Sequence, residues 1–311
     1  MGKSASLPRR LQLPEWVVLG EFSCSLTEAN DSLRPFMATI PLEDNFSDIL
    51  GKAQRGLNLR DEQLAKRAGV SLSDLGRAQS GECDEQVIRK LASVLNLRAA
   101  ALIESANRAW APDPVAVPDL AQFNTAYGDM TVNCYLAWDT KTREAVVFDT
   151  GADCGPVLQF VKANQLASKL ILLTHTHPDH IADLARLKRE TGAPAHVCQL
   201  EAIEGAEPFS EGQSFSVGAL RIGTRLTSGH SAGGITYVIT GLARPVAVVG
   251  DSIFAGSMGG GAVSYTDAIN NNRTKVLSLP NETVLCPGHG PLTTLGEEKV
   301  HNPFFPDLQK N

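Results

Sequence analysis

No run of apolar residues in this 311-residue sequence reaches the roughly 18–20 that a bilayer-spanning helix needs. No membrane partner is therefore expected. Cysteine is sparse. Cys24, Cys83, Cys134, Cys154, Cys198 and Cys286 are scattered, with no CxxC pair. A chain this long does not need a disulfide framework, and a reducing, cytoplasmic setting is expected. An excess of basic charge is also missing. The net charge of −6 gives the chain as a whole no attraction to nucleic acid or anionic lipid. The first residues, MGKSASLPRRLQLPEWVVLG, lack an apolar core of secretory length and a small-residue cleavage site, so no signal peptide is expected. No internal repeat or low-complexity tract is evident. What remains is ordinary soluble composition, 43% hydrophobic and 20% charged, at a length that suits two domains or one large one.

Three zones follow from the patterning. Residues 1–45 are mixed, with Pro8, Pro14, Pro35 and Pro41 and no sustained periodicity. They are expected to be poorly ordered, with 1–36 an extension upstream of Met37, which would serve as a natural start. Residues 46–108 read as helical: Val87, Ile88, Leu91, Val94 and Leu95 follow helical spacing, and Leu64, Ala65 and Ala68 share a face. The proline-rich AWAPDPVAVP, 109–118, reads as a linker. From 119 to 311, β-rich runs such as EAVVFDTG, KLILLTH, ITYVIT, PVAVVGD and TVLCPGHG alternate with helical stretches, the pattern of an α/β domain.

One stretch concentrates metal-ligating side chains. LLTHTHPDHI places His175, His177, Asp179 and His180 directly after an apolar strand. Residues i and i+2 of an extended chain point the same way, so His175 and His177 can face one point. Pro178 suits the first turn of a helix, which puts Asp179 and His180 near a second point. His230 in TSGHSAGG, Asp251 ending PVAVVGD and His289 in CPGHGP lie in turns after strands, where open α/β sheets carry their functional residues. Imidazole with carboxylate suits zinc, iron or manganese. Any one of these residues alone would pass for an ordinary polar group at a strand end. The ordered set would not.

THTHPDH resembles the defining motif of the metallo-β-lactamase superfamily, and NCYLAWD, VVFDTGAD, SGHSAGG, GDSIFAGSMGG and CPGHGPLTTLGEEKVHNPFF resemble its glyoxalase II branch in order and spacing. The resemblance implies a four-layer αββα sandwich over 119–311, an α/β (α+β) fold, with its metal site at one edge. It implies one metal on His175, His177 and His230, a second on Asp179, His180 and His289, and Asp251 bridging the two. His196 and His301 are left over, one to pack or cap, the other as a candidate support for the site. The cofactor implied is a pair of divalent ions, zinc first, with iron or manganese as alternatives. A hydroxide bridging two such ions is a nucleophile at neutral pH, and Asp179 could also take the water's proton.

The implied activity is hydrolysis of a thioester or ester, of the hydroxyacylglutathione hydrolase type. Glyoxalase II proper carries a C-terminal helical domain that helps hold glutathione. Here the sequence stops soon after HNPFFPDLQKN, and Gly259, Gly260 and Gly261 occupy a stretch where many relatives place a basic residue. Glycines there read as flexible backbone and open space, so a small or different thioester is expected. The runner-up is a persulfide dioxygenase with one iron on His175, His230 and Asp251. A β-lactamase fits the motifs less well.

LNLRDEQLAKRAGVSLSDLGRAQSGECDEQVIRKLASVLNL, 57–97, resembles a helix-turn-helix of the Xre type. The resemblance makes the N-terminal part a small all-α module, with Ser71 capping a recognition helix and Ser71, Ser73, Arg77 and Gln79 as candidate DNA contacts. Such modules often pair, so a homodimer is a candidate assembly. The third functional reading is accordingly a DNA-binding regulator with a metabolite-sensing metallo-domain. Charge weighs against DNA as the partner. Residues 46–108 hold ten Lys/Arg against eight Asp/Glu, a balance of +2, and phosphate contacts normally carry most of the affinity. A module retained for packing or dimerisation is the reading preferred.

Overall fold

A computed structural model describes residues 40–309. The segment 1–39, including the expected extension 1–36, lies outside the described residues. Asn45 caps the first helix, α1 (Phe46–Gly56), and its side chain accepts from the Ser47 and Asp48 amides. Thus 40–45, expected to be poorly ordered, is seated by a cap and by Asp44, which accepts from Lys52 and Ser257. Four more helices follow: α2 (Asp61–Ala68), α3 (Leu72–Gln79), α4 (Glu85–Leu95) and α5 (Ala99–Ala106). Gly69 takes the left-handed conformation that ends α2 (φ 64), and Ser71 caps α3 in a reciprocal box with Asp74.

The rest of the chain builds two six-stranded sheets. In chain order the elements are β1 (Leu120–Tyr127), β2 (Met130–Trp138), β3 (Glu144–Phe148), α6 (Gly155–Ala163), β4 (Ala167–Leu172), α7 (Pro178–Ile181), α8 (Leu184–Thr191), β5 (Ala195–Cys198), β6 (Glu207–Phe209), β7 (Ser214–Val217), β8 (Leu220–Leu226), β9 (Ile235–Thr240), β10 (Val246–Gly250), α9 (Tyr265–Asn271), β11 (Val284–Pro287), β12 (Thr293–Thr294) and α10 (Leu295–His301). The first sheet runs β1-β2-β3-β4-β5-β6 and the second β12-β11-β10-β9-β8-β7. β3, β4, β5 and β6 are parallel, as are β10 and β11; the other pairs are antiparallel.

Three apolar layers hold this together. Tyr135, Phe148 and Leu172 of the first sheet meet Ile222, Tyr237, Ile239, Val248 and Val284 of the second. The outer face of the first sheet packs Val147 and Ile171 against Val157 of α6 and Leu184 and Leu187 of α8. The outer face of the second packs Ala247, Val249 and Leu285 into one continuous core with α9, α10 and the N-terminal helices, including Phe46, Ile49, Leu50, Ile88, Leu91 and Leu102. The result is the αββα sandwich, with the helical module completing one outer layer.

The joint is polar as well as apolar. Arg98 is buried and donates to the carbonyls of Lys299, Val300 and Phe305, so it caps the C-terminal end of α10. Segment 109–118, expected as a linker, holds neither helix nor strand but is packed. Trp110 stacks on His301 at 4.6 Å, and the Asp113 amide donates to Glu297. No helix among the described residues is long and apolar enough to cross a membrane.

Candidate metal centre

The C-terminal ends of β4, β10 and β11 open on one edge of the sandwich. The turn after β4 carries His175 and His177, and α7 begins at Pro178 and carries Asp179 and His180. Asp251 directly follows β10, and His289 lies two residues past β11. His230 comes from the loop between β8 and β9. These side chains form two groups, His175, His177, His230 and Asp251 in one and Asp179, His180 and His289 in the other, each with its ligating atoms within 4.8 Å of one another.

Distances show where the groups point. Nδ1 of His177 lies 3.0 Å from Nε2 of His175 and 3.1 Å from Nε2 of His230. Oδ2 of Asp251 is 3.3 Å from Nε2 of His230 and 3.4 Å from Nε2 of His289, while its Oδ1 is 3.4 Å from Nε2 of His180. Oδ2 of Asp179 is 3.3 Å from Nε2 of His289. One carboxylate therefore faces both groups.

The far side of each ring fixes its tautomer. Nδ1 of His230 donates to the Gly259 carbonyl at 2.7 Å, and Nδ1 of His289 donates to the Thr131 carbonyl at 2.6 Å. Nδ1 of His180 faces the Asp149 carboxylate at 2.9 Å. Thr174 donates its hydroxyl and amide to Asp149, which leaves its oxygen to accept from Nδ1 of His175 at 3.1 Å. Four imidazoles thus bond outward through Nδ1 and turn Nε2 inward, the nitrogen through which metal-ligating histidines bind once it is unprotonated. Sequence reading assigned Asp149 no role. Its one sequence signal is its place after an apolar run in VVFDTGAD; in the structure it is buried directly after β3, and its φ of 59 is a left-handed conformation unusual for a residue with a side chain.

Without a cation, the converging groups pair their charges with one another. Burial pushes the Asp251 carboxyl up, but His180 and His289 outweigh it and hold it well below the usual carboxylate range. Burial disfavours a charged His180, yet Asp251 and then Asp149 push it up to about 10. His289 is likewise pushed up to about 11, against burial, by Asp251 and Asp179. Burial and the neighbouring His180 keep His175 well below its ordinary value. Imidazole ligates through its unprotonated nitrogen, so a divalent ion competes with these protons. The residues fit such an ion. Nε2 of His180 and Oδ1 of Asp251 are buried with no hydrogen-bond partner, which few native polar atoms are.

Two glycines make the convergence possible. A Cβ on Gly288 would stand 2.1 Å from Oδ1 of Asp251 and 2.6 Å from Cε1 of His180; one on Gly259 would stand 2.1 Å from the Asp251 carbonyl oxygen. Gly261 would meet Cα of Tyr265 at 2.2 Å. The glycine run expected to leave open space is instead a close-packed loop that side chains would split apart.

The family model described as the metallo-beta-lactamase superfamily matches residues 127–289, more than half of the chain. The chain belongs to the metallo-beta-lactamase superfamily. Within that superfamily it is similar to the probable metallo-hydrolase YqgX of Bacillus subtilis, 28% identical over 57% of this chain and 94% of that protein. It is similar also to the hydroxyacylglutathione hydrolase GloC of Haemophilus influenzae, 27% identical over 56% of this chain and 92% of that one. Among solved structures, ETHE1 from Myxococcus xanthus superposes with a TM-score of 0.53 at 25% identity, covering 61% of this chain and 90% of that one. These matches each span about three fifths of the chain.

The remaining residues singled out in sequence stand apart from the superfamily's metal edge. His196 lies on β5 and packs on Phe215, with its ring centroid 5.1 Å away. His301, expected as a candidate support for the site, instead binds Glu104 through Nδ1 at 2.9 Å and stacks on Trp110, so it ties α10 to α5 and the segment after it. On α3, the Ser71 hydroxyl exchanges bonds with Asp74 as the cap. Arg77 is paired with Asp74 at 2.7 Å and Glu82 at 3.2 Å. Gln79 donates to Gln54 and Asp61. Ser73 is exposed and enters none of these bonds.

Proposed function

We propose that the protein is a dinuclear metallo-hydrolase acting on a thioester or ester. The observation that carries the proposal is Asp251, whose two oxygens face the two ligand groups from a buried position. His175, His177 and His230 would hold one ion, and Asp179, His180 and His289 the other. Divalent ions there would supply a hydroxide nucleophile at neutral pH and polarise a carbonyl, so no serine or cysteine nucleophile would be required. The chain's own part is orientation. Asp149, Thr174, and the Gly259 and Thr131 carbonyls fix the rings, and Asp179, buried beside His289, would take the water's proton. Likeness to GloC supports a thioester of the hydroxyacylglutathione kind as the first substrate class to assay.

Metal content per chain, with protein purified without added metal or chelator, tests this. About two ions, zinc or a mixture with iron or manganese, are expected. The second reading is a persulfide dioxygenase that would hold one iron on His175, His230 and Asp251, three residues that converge in one ligand group. About one iron per chain, with oxygen uptake on a persulfide, would overturn the hydrolase in its favour. For the helical module we propose a packing role, because three of the four candidate DNA contacts on α3 are already bonded within the module. Selection from random duplexes that enriched one sequence would reverse this and favour a regulator.

A further inference from the structure

Helix α1 reaches the metal edge from the opposite end of the chain. Nζ of Lys52 donates to the Met258 carbonyl at 2.8 Å and to the Asp44 carboxylate, and Asp44 also accepts from the Ser257 hydroxyl. The next residue in that loop, Gly259, offers the carbonyl that orients His230, and its amide donates to the Asp251 carbonyl at 3.1 Å. The Lys52 ammonium also lies 5.0 Å over the Phe254 ring, which packs edge-on against His289. Across the site, Gly290 leaves room for segment 41–43: a Cβ there would come within 3.3 Å of the Glu43 nitrogen.

We infer that Lys52 is a positioning residue for the metal centre, and that the N-terminal module is part of that centre's support. The loop 256–261 has no side chain at 259, 260 or 261 with which to anchor itself. The Gly259 amide on the Asp251 carbonyl and the Asn302 side-chain amide on the Ser257 carbonyl hold its two sides, and α1 adds the bond at Met258, the residue beside the carbonyl that orients His230. A lysine some 120 residues before the first histidine of the motif thereby sets the direction of one ligand's lone pair. Groups that orient metal ligands change affinity by about 10–100-fold when removed.

The inference rests on the dinuclear reading, and zinc titration of the full-length metal-free chain separates the two. Lys52→Met keeps the methylene stem over Phe254 and removes the ammonium. Competition against a chromophoric chelator should show one of two zinc ions bound about 10–100-fold more weakly, the other little changed, with unaltered far-UV circular dichroism. Lys52→Arg should recover most of the loss. If Lys52→Met lowers the melting temperature but both ions keep wild-type affinity, the residue is only structural and the inference fails. Should that variant not fold, Asp44→Asn probes the same link and should weaken the same ion severalfold; unchanged affinity there also overturns it. Fewer than two zinc ions on the wild-type chain would sink the dinuclear reading and the inference with it.

Discussion

The metal edge and the α3 surface both gather polar side chains, and they treat them in opposite ways. At the edge, four of the five imidazoles bond outward and leave the other nitrogen aimed inward, with His180 and Asp251 retaining buried atoms that nothing satisfies. On α3, Ser71, Arg77 and Gln79 bond to one another's neighbours and have little left to offer. A buried polar atom without a partner costs about 1–3 kcal/mol. Leaving two together is tolerable where a ligand completes them. A surface whose donors are already spoken for makes no comparable demand.

The largest expected break in that contrast is Asp251→Ala. It removes the group both halves share, so elemental analysis should find most metal gone and activity should fall by at least about a thousandfold. Full metal retention would refute the bridging role. Asp149→Asn comes next. It leaves every ligand in place but replaces the carboxylate that receives the His180 proton and the Thr174 bonds. Metal affinity should drop by about 10–100-fold, read by chelator competition.

Glu298 gives a test away from the metal. It is fully buried, accepting from Gly256, Thr293 and Asn302. Burial outweighs those donors and pushes its carboxyl from 4.5 up to about 8. A folded value above the unfolded one means proton uptake on folding, so this contribution is present at low pH and is lost as pH rises from about 5 to 8. The loss is on the order of 4 kcal/mol at most. Glu298→Gln carries no titrating group there, so its stability should gain on that of wild type as pH rises from about 5 to 8; parallel melting curves across that range would show the carboxyl is not titrating. The smallest effect is expected at Arg77→Ala. Its ion pairs are exposed, so stability should change by less than about 1 kcal/mol, and metal content should not change.

The ligand edge was legible because its chemistry is written in side chains at short spacing after apolar strands. HxHxDH, the GH and PGHG turns and the aspartate after VAVVG can be found without knowing how the sheets pair. The rest was harder for identifiable reasons. The Thr131 and Gly259 carbonyls have no side chain to read. Lys52 matters through a contact spanning more than 200 residues. The edge strands β6 and β7 are short and partly exposed, so they show little apolar signal. The glycine run was misjudged because space around a glycine depends on what packs against it, and here Asp251 and Tyr265 do. His301 sits in the right motif but on the far side of α10, where Glu104 claims it.

The shared core between the N-terminal helices and the second sheet has a consequence for how this chain can be divided. Residues 127–289 mark what it has in common with its superfamily, a unit of descent. The core, however, runs past both ends of that stretch. Cutting at 118 would strip Phe46, Ile49, Leu50 and Leu102 from the sheet they cover and leave the α10 end without Arg98. The helices at the front of the chain form one wall of the sandwich, and removing them would open that face to water.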